Sequence, residues 1–168
     1  MIELDIHTKE LILDEIMTQE RAFVFIGELS FANSILYKDT DASGRGIKQS
    51  KSEFNTLFNK LLTDKDLLSS GPDAISDYIQ QILTWLKDIT PIRYSIAFKP
   101  RREFVKSLYE WTKKNVPGVS LIAVEEKPEI MGGVLVSING KYHDFALEKM
   151  LDQYFISNKD AILSILQN

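Results

Sequence analysis

The stretch Met131-Gly132-Gly133-Val134-Leu135-Val136-Ser137-Ile138-Asn139-Gly140-Lys141-Tyr142-His143-Asp144-Phe145 decides how this sequence folds. Asn-Gly tolerates positive φ at both residues, which are the two central positions of a type I′ turn, and that turn has the twist of the strands it joins. Residues 131–138 and 141–145 therefore read as the arms of a tight β-hairpin. Gly132-Gly133 stands before the first arm. A phosphate cradle would need a strand, a glycine turn and a helix in that order, or the Walker spacing. Here the glycines lead into a strand, so a bulge or a close backbone approach is the better reading.

Upstream, residues 119–124 are aliphatic and β-branched and read as a strand. Phe104, Val105, Leu108, Tyr109 and Trp111 mark a helix that residues 115–118 end, and residues 92–98 alternate as a strand closed by Pro100. Downstream, residues 146–155 and 158–166 read as helices split near Ser157. The C-terminal half is thus β-α-β-β-β-α. At Thr90-Pro91 the period changes, because the residue before proline is pushed out of the α region. Before it, Leu11, Ile16, Phe25, Leu29, Leu57, Leu61, Ile75, Ile79 and Leu86 recur at helical steps. A break is expected at Gly27, a polar loop over 38–46, and a restart at Gly71-Pro72. The expected fold class is α+β: a helical N-terminal bundle over residues 1–90, then a small α/β domain over 91–168.

Composition narrows the function. The 168 residues carry 20 Lys+Arg against 24 Asp+Glu, a net charge of -4, with no basic block to neutralise phosphates, so no nucleic-acid partner is expected. The absence of cysteine rules out disulfides and thiolate chemistry. The acidic start is unlike a secretory signal. No apolar run approaches the roughly 18–20 residues of a membrane helix, so membrane association is expected only through partners.

Candidate chemical residues are few. His7 and His143 lie far apart and neither belongs to a metalloprotease motif, so both read as ordinary surface residues. Asp39, Asp41, Ser43 and Gly44 occupy the first, third, fifth and sixth places of an EF-hand loop, but Ser50 stands where the bidentate carboxylate belongs, so no calcium site is expected. Glu125, Glu126 and Glu129 beside Lys127 read as a solvated charged loop. No catalytic, cofactor-binding or metal-ligating residue is expected, and no cofactor.

Residues 127–147, with Pro128, Gly132, Gly133, Lys141 and Asp144 at the family's spacing, resemble the C-terminal signature of the ATP synthase delta subunit and its mitochondrial counterpart, the oligomycin-sensitivity-conferring protein. The resemblance covers residues 92–155. It implies a non-catalytic peripheral-stalk subunit that links the catalytic head of a rotary ATP synthase to its b subunit. The helical domain would hold N-terminal segments of the alpha subunits, and the C-terminal domain the C-terminal end of b. The location would be peripheral, on the cytoplasmic side of a bacterial membrane, as part of the complex. The usual Tyr-Ala-x-Ala-Leu start and the arginine-rich final helix are missing, so no individual binding residue is carried over. Two alternatives stand beside this reading. An E-type stator subunit of the V/A-type rotary ATPases would have a long charged N-terminal stalk helix, whereas this N-terminal half is apolar and interrupted by glycines. An unrelated α+β protein-binding module, or a small hydrolase, would carry the same hairpin, but an enzyme needs convergent nucleophile, base or metal ligands.

Overall fold

A computed structural model describes residues 4–36, 54–67, 70–118, 121–130 and 132–159. The chain divides into two compact units, Met1–Thr90 and Pro91–Asn168. In order, the described elements are α1 (Ile6–Ile16), α2 (Gln19–Ile35), α3 (Asn55–Asp64), α4 (Pro72–Asp88), β1 (Ile92–Ile96), α5 (Arg102–Asn115), β2 (Ile122–Glu126), β3 (Gly133–Ile138), β4 (Lys141–Ala146) and α6 (Leu147–Ser157). The protein is therefore mixed α+β, with six helices and a four-stranded mixed sheet among the described residues.

In the first unit the helix ends are set by side chains that satisfy free amides. Asp5 caps α1, its Oδ1 accepting from the Thr8 amide at 2.7 Å. Lys65, at the end of α3, donates to the other oxygen of Asp5. That bond, followed by the Thr8 amide, holds the Asp5 carboxyl well below its usual value. The break falls at Met17-Thr18 and not at Gly27. Met17 takes φ 59, its amide donating to the Leu13 carbonyl at 2.7 Å, and Thr18 Oγ1 then accepts from the Arg21 amide at 3.3 Å to start α2. Gly27 lies inside α2, facing open space.

The core forms where α2 lies against α4 and α1 against α2 and α3. Phe25 meets Phe54 edge-on at 5.1 Å, and the Arg21 guanidinium sits 4.8 Å above the Phe54 ring. Pro72 occupies the first turn of α4, following Gly71 at φ 90. From there Ile75, Tyr78, Ile79, Ile82, Leu83 and Leu86 form one buried stripe. Full burial of such a side chain contributes about 1.5–3 kcal/mol, so this face outweighs any single cap.

In the second unit the strand order is β2-β1-β3-β4. β1 and β2 are parallel, β3 is antiparallel to β1, and β4 to β3. Parallel neighbours need a crossover, which α5 supplies. Ile92, Tyr94 and Ile96 are buried along β1, and the Tyr94 hydroxyl lies 2.7 Å from Thr112 Oγ1 on α5. Tyr94 pairs with Val136, and Val136 with His143, so these three share the face that α5 covers. The opposite face carries Arg93, Ser95, Ser137, Tyr142 and Asp144. Asn139 at φ 50 and Gly140 at φ 77 make the turn between β3 and β4.

Three boundaries differ from the sequence reading. β1 ends at Ile96, where the chain turns towards Pro100. β2 spans Ile122–Glu126 and so runs later than 119–124, because Ile92 donates to the Leu121 carbonyl at 2.9 Å and the parallel register begins one residue on. β4 keeps its pairing through Ala146, which faces Gly133, so α6 starts at Leu147. The loop 39–50, and with it the failed EF-hand pattern, lies outside the described residues, as does most of the helix expected over 158–166.

Candidate functional site

The hairpin holds the following helix through its glycines. Gly133 takes φ 85, and a Cβ there would stand 2.2 Å from the Phe145 carbonyl oxygen and 2.9 Å from the Leu147 amide nitrogen. Only glycine lets β3 begin so close to the end of β4. Gly132, at φ 123, accepts through its carbonyl from the Leu147 amide at 2.9 Å. One of the free donors of the α6 N-terminus is thereby tied to the start of β3. Asp144 does not cap α6, because the strand continues past it. Its Oδ1 accepts from the Ala146 amide at 2.9 Å, a bond two residues along the chain, and Lys149 stands 3.9 Å from its other oxygen.

What this junction positions is an exposed apolar helix face. Leu147, Met150, Leu151, Tyr154 and Phe155 fall at steps of three and four on α6, and each is 43–59% exposed. No α6 residue is buried. Beside the helix start, Phe145 is 54% exposed and stacks on His143 at 6.4 Å with an interplanar angle of 10°. Contiguous exposed apolar faces of this kind are uncommon on protein surfaces that meet only water. The sequence carried the signal, since the same spacing identifies the helix; a helical period alone does not tell which face stays uncovered.

The two histidines belong to different units. His7 lies exposed on α1 in the first unit, and His143 on the edge strand of the second. Lys127 Nζ pairs with Glu125 at 3.4 Å at the end of β2. Among the described residues no group of His, Cys, Asp or Glu could hold a metal ion, and no helix is long and apolar enough to cross a membrane. The chain matches no known family model and no curated protein.

Proposed function

We propose that this protein is a stator subunit of the delta type, a non-catalytic adaptor in the peripheral stalk of a rotary ATP synthase. The observation that carries the reading is the α6 face: residues of the Pro128–Leu147 signature fix the helix to the hairpin, and the helix offers five apolar side chains to a partner. A helix docks on such a face through apolar contacts at three- and four-residue steps. In this reading α6 receives the C-terminal end of a b subunit, and the helices before Thr90 form a bundle that receives N-terminal segments of alpha subunits. The β-α-β-β-β-α order of the second unit supports the same family resemblance. The protein then lies at the cytoplasmic side of a bacterial membrane through its complex alone.

Capture of the tagged full chain from membranes of its source organism, under conditions that keep rotary ATPases assembled, tests this. Alpha and b subunits should be recovered. A Leu151→Glu, Tyr154→Ser double variant should lose b, since a charge placed in an apolar interface costs several kcal/mol unless paired. Recovery of no rotary ATPase component leaves an unrelated binding module as the better reading.

A further inference from the structure

The turn from β1 into α5 carries a second surface, of different chemistry. Phe98 and Phe104 meet edge to face at 5.3 Å and remain 50% and 38% exposed. With Lys99, Arg101 and Glu103 they line a shallow hollow of about 470 Å³. Arg102 follows at the start of α5, and Lys106 stands one turn further on, 3.9 Å from Glu110. Among the described residues, Lys99, Arg101 and Arg102 have no carboxylate within ion-pair distance. Three free cations around two exposed rings, in a chain of net charge -4, form a local field opposite to that of the whole.

We propose that this hollow binds an acidic protein segment carrying an aromatic or aliphatic anchor residue flanked by Asp or Glu. The rings bury the anchor, and the guanidinium groups of Arg101 and Arg102 take carboxylates in paired hydrogen bonds. The positive end of α5 adds to the same field. Nucleic acid fits less well. The two rings meet edge to face in one shallow hollow, which suits a single anchor side chain and not a run of successively stacked bases. This inference is independent of the stator reading and uses none of the α6 face.

The test uses the purified full chain and a fluorescein-labelled short peptide with Phe flanked on both sides by Asp and Glu, read by anisotropy. Binding should fall at least about tenfold in an R101E/R102E variant, and should also weaken with rising salt. The neutral K99Q/R101Q/R102Q variant should lose affinity too, and F104S should weaken binding severalfold at unchanged salt dependence. The charge-reversed variant should gain affinity for the corresponding Lys-Phe peptide. Circular dichroism establishes that each variant is folded; all three cationic residues are exposed. Equal affinity in R101E/R102E and in the intact chain overturns the proposal. So does tighter binding of a single-stranded oligonucleotide or of phosphatidylserine vesicles than of the peptide, or no peptide binding at millimolar concentration.

Discussion

Gly133 is the residue whose identity the fold constrains most directly. A methyl group placed there meets backbone, and backbone cannot swing aside as a flexible side chain would. Gly133→Ala should therefore destabilise the second unit by about 2–3 kcal/mol or more, read as a lower denaturation midpoint. Gly27 is the opposite case, because helical backbone and open space leave only its conformational entropy to consider. Gly27→Ala should raise stability by about 0.5–1 kcal/mol, measurable in the same titration. Gly133 shows its role in the sequence, because the pair it belongs to leads into a strand. Gly27 does not, because a glycine within an apolar helical period reads as a break until its open surroundings and continued helix show an ordinary helix position. Asp5 adds a pH dependence. Its folded pKa is depressed below the ordinary 3.8, so its contribution is fully present above that value and is lost as pH falls through the folded one. Lys65 is raised by the same bond, so its contribution is present below 10.5 and lost as pH rises through its folded value. Asp5→Asn should flatten the acid limb of a plot of melting temperature against pH. Because Asp5 is exposed and Lys65 only half-buried, added salt should shrink the difference between the two proteins.

Among the elements, the legible ones were those whose signal is local. Asn139-Gly140 needs no tertiary information to make a turn, and Pro72 at the start of α4 needs little more. The start of α2 is local as well, since the Thr18 hydroxyl caps it, whereas Gly27 leaves the helix unbroken. β2 was less legible, because the parallel register with β1 decides where it starts, and that register is set across the sheet. The α6 face was legible as a helix and not as a surface. Packing of α5 on the sheet gives a test at this scale. The Tyr94 hydroxyl is buried against Thr112, which also donates to the Leu108 carbonyl at 2.6 Å. Burial pushes the Tyr94 phenol up, and the hydrogen bond to Thr112 opposes that shift. Tyr94→Phe removes one partner and leaves Thr112 its second, so the loss should be about 1 kcal/mol. Thr112→Val removes the partner of a buried hydroxyl and should cost more. A cycle of the two single variants and the double should show coupling, since the groups are in contact.

For the molecule as a whole, the change of apolar period at Thr90-Pro91 coincides with the boundary between units that have separate cores. Tyr78 and Phe25 are among the buried side chains of the first, Tyr94 and Ile122 among those of the second. The charge is divided as well. Residues 1–90 hold nine Lys+Arg against fifteen Asp+Glu, and residues 91–168 hold eleven against nine. Each unit also contains one tryptophan, Trp85 on α4 and Trp111 on α5, so single-tryptophan variants W111F and W85F report on the units separately. A unit with its own core unfolds as its own cooperative element. In urea, Gly133→Ala should move the Trp111 signal to a lower midpoint and leave the Trp85 signal unchanged, while Gly27→Ala should raise the Trp85 midpoint alone. Both probes moving together in either variant would mean that the units unfold as one, and the stator reading, which assigns each unit a different partner, would then have to explain why two binding faces share a single cooperative fold.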